Sequence, residues 1–438
     1  MVFIIQIVKP VILNKMSMEG FSESVGLFLT PPTEVGIESK SWINIRPTSQ
    51  ITEGGTIDFT VAGNTLQYMN LNDTRLYVKA RVVKRDGSPF VEGEFATPVN
   101  LFLHSLWSQM DVSIQQTSVS SGVSTKYPFK AMIDYTLGTN STEWHTSGAC
   151  QMYYRDNWQC MDDWDPQPKH LPLNSGLFAR NLRSKGGKIF DMEGPLYSDI
   201  FQQKRLLLNG LQLSVKLYPS QDSFRLMCKT NDYKVEILDA IMKVCYVKVS
   251  PGILLGHSEA LKIGTARYFY DESIIKSYAI ASGQYSITVD DLFQGEVPKT
   301  LTLCLASSEA LNGSCKRNPF NFKNYKLDFC SFYVDGQSYP TQALQPSFSN
   351  SNYVEAYLRL FNEQPLNGIS YEEFGSGYTI YTFTLREKAK NILTVRRRGH
   401  TRLELRFSDP LHEPVTLLAY GKFGQVLSVD QSRNVKLG

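Results

Sequence analysis

The two halves of this 438-residue chain run through the same series of strand and turn patterns in the same order. In the first half, residues 42–64 read as strand, Gly-Gly turn, strand, and residues 74–84 follow as a strand of alternating polarity. In the second half, residues 273–292 and 299–307 repeat that order, with a Ser-Gly turn. We therefore expect a hairpin to open each half, and two similar β-rich units.

The repeat continues to the end of each half. Residues 211–220 and then 235–249 correspond to residues 402–410 and then 415–429, and the last two segments are equal in length and align residue on residue. The sequence of each half also predicts one helix. These helices are expected at residues 127–138, with Pro128 early and Gly138 as a stop, and at residues 351–362, with Ser351 or Asn352 as the cap.

Residues 102–116 (FLHSLWSQMDVSIQQ) change from helical spacing to strand alternation halfway along. The pattern predicts a short helix that leads directly into a strand. We expect Leu103, Leu106 and Met110 to be buried, with Asp111 and Ser113 on the less buried side. The counterpart in the second half, residues 325–336, ends in a strand and an Asp-Gly turn.

Six or more strands per half, with long excursions and one helix between strands in the middle of each unit, favour jelly rolls over immunoglobulin-like sandwiches. The high content of tyrosine (23) and phenylalanine (24) also favours strands. We predict an all-β fold of two tandem jelly-roll β-sandwiches, a double jelly roll, with a few short helices in long loops. The expected parts are an N-terminal arm or extension (1–34), the first jelly roll (35–250), a connector (251–266) and the second jelly roll (267–438).

Charge and cysteine content restrict the partners and the compartment. A net charge of +3 is too small to indicate nucleic-acid binding, and we interpret the basic run Arg396–Arg402 as a solvated hairpin end. The seven cysteines are odd in number and contain no C-x-x-C pair, which favours a reducing compartment and a chain that is not secreted. Residues 1–13 are too short to span a bilayer and lack a basic leader, so Met16 or Met18 is an alternative start.

The patterns typical of enzymes are missing from the sequence. The six histidines form no metal-binding pair, and His104 is expected to be a packed or surface residue. Residues 375–377 (GSG) lack the Gly-Lys-Ser/Thr of a phosphate-binding loop, and no G-x-S-x-G is present. Solvation accounts for the carboxylates of residues 161–165 (MDDWD). We therefore predict no catalytic, cofactor-binding or metal-binding residues, and no enzyme activity.

One long segment, residues 150–170, concentrates aromatic side chains between charged residues. Exposed aromatic rings bind sugars by stacking or anchor protein interfaces. We favour a subunit contact, because the segment belongs to a repeated scaffold with no other sign of a pocket. The candidate contact residues are Tyr153, Tyr154, Trp158 and Trp164.

Long stretches of the chain, from about Leu27 to Val435, resemble the major capsid proteins of Polinton (Maverick) elements and the related adintoviruses. The most distinctive is NPFNFKNYKL followed by YVDGQ. The stretches that carry the resemblance are residues 27–47, 102–114, 198–217, 251–261, 310–340 and 367–385. Residues 1–13 have no counterpart in the family pattern.

The resemblance implies a structural protein and its partners. Three chains would form a homotrimer that serves as a pseudo-hexameric capsomer of an icosahedral virus-like particle. The implied partners are neighbouring capsomers and a penton-type vertex protein with a single jelly roll, with double-stranded DNA enclosed indirectly; no membrane partner is specified. The location would be the virion capsid, after assembly inside the host cell. The alternative is a jelly-roll protein for carbohydrate binding or receptor attachment, with a β-sandwich hydrolase third.

Overall fold

The computed structural model describes residues 35–120, 126–167, 172–363, 368–385 and 396–438. The predicted N-terminal arm, residues 1–34, lies outside the described residues. In the first half the strands are β1 (Ile37–Ile45), β2 (Ile57–Val61), β3 (Gln67–Lys84), β4 (Ala96–Pro98), β5 (Trp107–Ile114), β6 (Thr117–Ser118), β7 (Phe190–Pro195), β8 (Leu213–Pro219), β9 (Leu226–Cys228) and β10 (Tyr233–Val249). In the second half they are β11 (Ala266–Ile280), β12 (Ser286–Asp290), β13 (Glu296–Val297), β14 (Thr300–Ser307), β15 (Leu327–Val334), β16 (Gln337–Leu344), β17 (Ile380–Thr384), β18 (Arg397–Arg398), β19 (Thr401–Phe407), β20 (Val415–Val429) and β21 (Val435–Leu437).

Short helices connect these strands, as expected. They are α1 (Phe102–Ser105), α2 (Tyr127–Gly138), α3 (Ser141–Glu143), α4 (Ser175–Ser184), α5 (Asp222–Arg225), α6 (Pro251–Ile263), α7 (Ser308–Leu311), α8 (Val354–Leu358), α9 (Leu360–Glu363) and α10 (Tyr371–Gly375). No helix in the described part of the chain is long and apolar enough to cross a bilayer.

The strands form the same pair of antiparallel sheets twice. The first half contains sheet 1A, in the order β1-β10-β3-β7, and sheet 1B, in the order β2-β8-β5-β6. The second half contains sheet 2A, β11-β20-β14-β17 with β21 beside β20, and sheet 2B, β12-β19-β15-β16. Strands distant in sequence are neighbours in each sheet, as in a jelly roll. The predicted double jelly roll is therefore confirmed.

The predicted opening hairpins are wrong. Strand β1 pairs with β10 in sheet 1A, whereas β2 pairs with β8 in sheet 1B. In the second half β11 pairs with β20 and β12 pairs with β19. The turns were identified correctly as turns, but each one carries the chain from one sheet to the other. Alternation of polar and apolar residues indicates that a segment forms a strand. It does not indicate which other strand that segment pairs with.

The long strand predicted near the end of each half is confirmed: residues 415–429 form β20 and residues 235–249 lie within β10. The two do not correspond residue by residue in their pairing. Strand β10 pairs with β3 with irregularities at Ile237/Asp239 and at Lys243/Cys245, whereas β20 pairs with β14 without a shift. An irregularity of one residue changes which face of the sheet a side chain occupies. Two strands of equal length can therefore differ in which of their side chains face the core.

The helix-to-strand segment forms as predicted. Helix α1 leads into β5, and the side chains of Leu103, Leu106 and Met110 are buried while Asp111 and Ser113 are half-buried. His104 is a packed residue. Its Nδ1 lies 2.9 Å from Tyr127 Oη and its Nε2 lies 2.9 Å from Gln151 Oε1. Burial lowers the pKa of His104 to about 4, although its hydrogen bond with Gln151 opposes the shift.

The two predicted helices differ in outcome. Helix α2 spans the expected residues, with a proline in its first turn. The helix expected at residues 351–362 instead begins at Val354 and is divided into α8 and α9. Neither proposed cap is used, because Ser351 has a φ of 55° and closes the preceding 3₁₀ turn. The Asp-Gly turn after β15 is present, with φ of 51° and 80° at Asp335 and Gly336, positive at both as a type I′ hairpin requires.

We expect Leu106→Ala to destabilise the protein by about 2–5 kcal/mol, because the truncation leaves a cavity in a fully packed core. The matched control is Ser113→Ala on β5, which is half-buried and should change stability by less than about 0.5 kcal/mol. Denaturant unfolding followed by tryptophan fluorescence measures both. Equal effects of the two substitutions would contradict the assigned facing of this segment.

Candidate functional site: the interface between the two jelly rolls

The long excursion between β6 and β7 lies against the second jelly roll of the same chain. Four groups of polar contacts join it to that jelly roll, centred on Arg155, Asp156, Asp162 and the Lys130 cluster. We call this surface the inter-roll interface. It contains the aromatic segment that the sequence suggested as a functional site.

The centre of the interface is an ion pair between Arg155 and Glu373. Arg155 Nε donates to Glu373 Oε1 over 2.9 Å, and Nη2 donates to Oε2 over 2.8 Å, so both carboxylate oxygens are engaged. The guanidinium carbon Cζ lies 3.7 Å from the ring centre of Tyr378 and 4.4 Å from that of Trp144. A flat, forked cation in contact with two rings fixes direction as well as distance.

Local structure orients Glu373 for this contact. The residue lies in the first turn of α10, where Ser370 Oγ accepts from the Glu373 amide and Glu373 Oε2 accepts from the Ser370 amide over 2.9 Å. This capping box holds the side chain at the helix start. Burial would raise the pKa of Glu373, but the hydrogen bonds and charge of Arg155 outweigh it and hold that pKa below its ordinary value.

The residue after Arg155 makes a second connection. Asp156 Oδ1 accepts from Arg180 Nη2 over 2.8 Å, and both side chains are completely buried. Its Oδ2 accepts from Asn318 Nδ2 over 3.2 Å, and its carbonyl accepts from Tyr378 Oη over 3.2 Å. Asn318 and Tyr378 belong to the second jelly roll. A carboxylate buried with this many partners fixes the backbone of the segment against both jelly rolls.

Asp162 makes the third connection. Its Oδ2 lies 2.8 Å from Lys323 Nζ and 3.4 Å from Arg317 Nη1, and its Oδ1 accepts from the Asn318 amide over 3.1 Å. Burial would raise the pKa of Asp162, but Lys323 outweighs it and the pKa is lowered. Solvation therefore does not account for this carboxylate, contrary to our interpretation of residues 161–165.

A buried charge cluster lies between α2 and sheet 2A. Lys130 Nζ is 2.7 Å from Asp134 Oδ2 and 2.8 Å from Asp199 Oδ1. From the second jelly roll, Tyr420 Oη donates to Asp134 Oδ1 over 2.8 Å and Lys422 Nζ lies 3.4 Å from it. Burial would raise the pKa of Asp134, but Lys130, Lys422 and the hydrogen bonds from Lys130 and Tyr420 lower it to about 2.

Apolar contacts fill the space between these clusters. The ring of Phe129 on α2 packs edge-on against Phe320, with centroids 5.7 Å apart. Gly377 has a φ of 84°, and a Cβ there would lie 2.7 Å from Met161 Sδ and 3.1 Å from Trp158 Cα. The aromatic segment and the second jelly roll thus approach at backbone distance, which a larger residue at 377 would prevent.

The candidate contact residues do not form an exposed surface. Tyr153 is completely buried, and its hydroxyl accepts from Arg155 Nη1 over 3.0 Å. Tyr154, Trp158 and Trp164 are half-buried and pack against the core. The expected exposure is therefore wrong for Tyr153 and only partial for the others. A contact of this segment with another subunit stays a prediction; residues 168–171 lie outside the described residues.

The basic run Arg396–Arg402 is not a hairpin end. Strand β18 pairs with β13, and β19 lies between β12 and β15. Several of its arginines are ion-paired within the chain: Arg396 with Glu272 and Glu296, Arg397 with Asp335, and Arg402 with Asp290. These pairs offset much of the positive charge of the run.

Known proteins resemble this chain in sequence and in structure. No protein-family model matches it. An uncharacterized protein of Caenorhabditis elegans (F54H12.2) is 24% identical over 432 residues, which covers 92% of this chain and 98% of the relative. A chain in the structure of the Sputnik virophage superposes with a TM-score of 0.63 at 12% identity, over 96% of this chain and 92% of the other.

Two further structures extend the comparison. The Faustovirus major capsid protein gives a TM-score of 0.60 at 9% identity, over 95% of this chain and 93% of its own. The mavirus major capsid protein gives 0.53 at 10% identity, over 96% and 95%. The fold of this chain is therefore the double jelly roll of viral major capsid proteins.

We expect Arg155→Ala to destabilise the protein by about 3–5 kcal/mol, because it leaves Glu373 buried without its partner. Arg155→Lys should also destabilise, since an ammonium group has neither the parallel pair of donors that matches the carboxylate nor a flat face to stack on the rings. The matched control is Arg46→Lys, at an exposed ion pair with Asp239, which should have almost no effect. Denaturant unfolding measures the stability of the three variants. An Arg155→Lys variant as stable as the wild type would contradict the argument from the geometry of the ion pair.

The charge cluster predicts acid sensitivity. The folded-state pKa of Asp134 is about 2, below its ordinary 3.8, so its contribution to stability is complete above about pH 4 and is lost as the pH falls toward 2. We expect Asp134→Asn to lower the melting temperature at pH 6, and the difference from the wild type to shrink between pH 4 and pH 2. Melting curves across that range test this. A difference that stays constant with pH would assign the stability to another group.

Proposed function

We propose that this protein is a structural major capsid protein, not an enzyme, and that three copies form a pseudo-hexameric capsomer of an icosahedral particle. One observation carries the proposal. Within the described chain, the excursion of the first jelly roll contacts sheet 2A at Tyr420 and Lys422, whereas the equivalent sheet 1A is left open along strand β1. The jelly rolls are taken as residues 35–250 and 267–438, joined by residues 251–266.

The difference between the two sheets is visible in corresponding strands. All eight residues of β14 in sheet 2A are buried, because both faces are covered. In β3, the corresponding strand of sheet 1A, buried residues alternate with half-buried or exposed ones. The edge strand β1 is exposed along eight of its nine residues. Exposed apolar residues on an open sheet edge invite association with another chain.

The second jelly roll carries the element that fits this surface. Helix α8 lies between β16 and β17, as α2 lies between β6 and β7, and α2 contacts Tyr420 and Lys422 of sheet 2A through Asp134. Helix α8 exposes Val354 (55%) and Leu358 (56%), while β1 exposes Trp42 (54%). If α8 of one chain covers β1 and β10 of the next, each jelly roll contacts its neighbour in the same way.

Repetition of that contact closes a ring. Jelly rolls alternate between contacts inside a chain and contacts between chains, so six similar units around an axis require three chains. Such heterologous contacts form a closed ring only at a suitable angle, and the inter-roll interface supplies the angle within each chain. The proposed partners are further copies of this chain, neighbouring capsomers and a penton-type single jelly-roll vertex protein, with double-stranded DNA enclosed. The proposed location is the virion capsid, after assembly in the host cell.

The carbohydrate-binding alternative depended on exposed aromatic rings in residues 150–170. Tyr153 is completely buried, and the other three aromatic side chains pack against the core of the chain. This arrangement offers no stacking platform of the kind that a sugar requires. We therefore retain the capsid proposal alone.

We expect the purified chain to form a trimer of about 150 kDa in light scattering, from three chains of 49.6 kDa. Trp42→Asp and Val354→Asp should each shift the mass toward the monomer, because a carboxylate would be buried without a partner in the contact. The matched control is Tyr285→Asp, which changes an equally exposed aromatic residue outside both surfaces and should leave the trimer intact. A monomeric wild-type chain under all conditions, or trimers of both variants, would contradict the proposed seam.

A further inference from the structure

We infer that the apolar N-terminal segment, residues 2–13 (VFIIQIVKPVIL), binds in a groove of its own chain beside the connector helix α6. The groove has a volume of about 650 Å³ and lies between α6, the start of β1 and the start of β11. This inference is independent of the proposed trimer, because the segment and its groove belong to one chain.

The groove is lined mainly by apolar groups from both jelly rolls. Ile253, Ala260 and Leu261 of α6 form one wall, and Val249 and Tyr68 of the first jelly roll lie opposite. The polar groups at its rim already have partners. Tyr68 Oη lies 3.0 Å from His257 Nδ1, and Arg205 Nη1 donates to the carbonyl of Arg267 over 2.7 Å. The remaining wall favours a predominantly apolar occupant.

Helix α6 is poorly covered for its sequence. Leu261 is the only one of its 13 residues that is buried. On the face that lines the groove, Ile253 is only half-buried and Ala260 is exposed. A helix of composition PGILLGHSEALKI that leaves such side chains in water lacks the apolar contact that normally stabilises a surface helix. Something apolar is therefore expected to cover it.

The position of the N-terminus identifies the occupant. The described chain begins at Val35, which is itself exposed, and the next two residues, Gly36 and Ile37, line the groove. The 34 preceding residues are therefore attached at the rim. Their first eight, MVFIIQIV, contain no charged side chain, and Lys9 is the first charge along the chain. Because the segment is tethered beside its site, its binding there is intramolecular, and its effective concentration is higher than that of a free peptide.

Hydrogen exchange on the full-length chain tests the inference. We expect the double substitution Ile4→Asp and Ile5→Asp to raise the exchange rate of the α6 amides at least tenfold. The matched control is Phe28→Asp, which removes an apolar side chain outside the segment and should leave α6 protected. Ala260→Arg, an exposed substitution inside the groove, should reproduce the effect of the double substitution. A synthetic peptide of residues 1–13, added to the double variant, should restore protection.

Disulfide trapping distinguishes the chain's own segment from other occupants. In a Cys150→Ser background, which removes the exposed thiol, Ile5→Cys and Ala260→Cys should form an intrachain disulfide under mild copper–phenanthroline oxidation. Disulfide-linked dimers would instead show that a second copy supplies the segment, and would overturn binding within one chain. Unchanged α6 exchange in the double variant would overturn the inference. So would protection of α6 in the double variant by phosphatidylcholine vesicles but not by the peptide, since a lipid surface would then be the occupant.

Discussion

The buried contact of Arg155 with Glu373 is the interaction on which the arrangement of the two jelly rolls depends. Two aromatic rings and a capping box determine where each partner lies. A buried ion pair contributes little net stability, because desolvation offsets most of the attraction. It does penalise every alternative geometry in which one charge loses its partner. Together with the clusters at Lys130 and Asp162, the pair therefore fixes one angle between the jelly rolls more than it strengthens their attachment.

A fixed angle gives a duplicated fold two different uses. Sheet 2A receives the excursion of the first jelly roll, so Tyr420 and Lys422 are drawn into a buried charge cluster. In the part of the chain that the structure describes, sheet 1A receives no comparable excursion, and Trp42 stays exposed. Since both halves share one topology, the excursion that sheet 1A lacks is of the same kind as the one that contacts sheet 2A. The asymmetry between two similar sheets is therefore the observation on which the proposed association with another copy depends.

Local patterns in the sequence predicted local structure. The strand at residues 415–429, the Asp335-Gly336 turn and the burial of Leu106 follow from alternation, turn chemistry and helical spacing. The partner of each strand did not follow, because β1 pairs with β10, some two hundred residues away. The inter-roll interface was not predicted for the same reason. Arg155 and Glu373 are 218 residues apart, and the local sequence around one residue gives no indication that it pairs with the other. Only the density of charged and aromatic residues in residues 150–167 marked the segment.

The connector helix α6 and the inter-roll interface have different roles in the chain. If α6 held the jelly rolls together, its apolar side chains would be buried between them, but only Leu261 is. The rolls are instead joined by the excursion that carries Asp156 and Asp162. Helix α6 therefore links the two jelly rolls covalently but contributes little to the contact between them. An element in that position is free to present an apolar groove, which a buried connector would have no surface left to form.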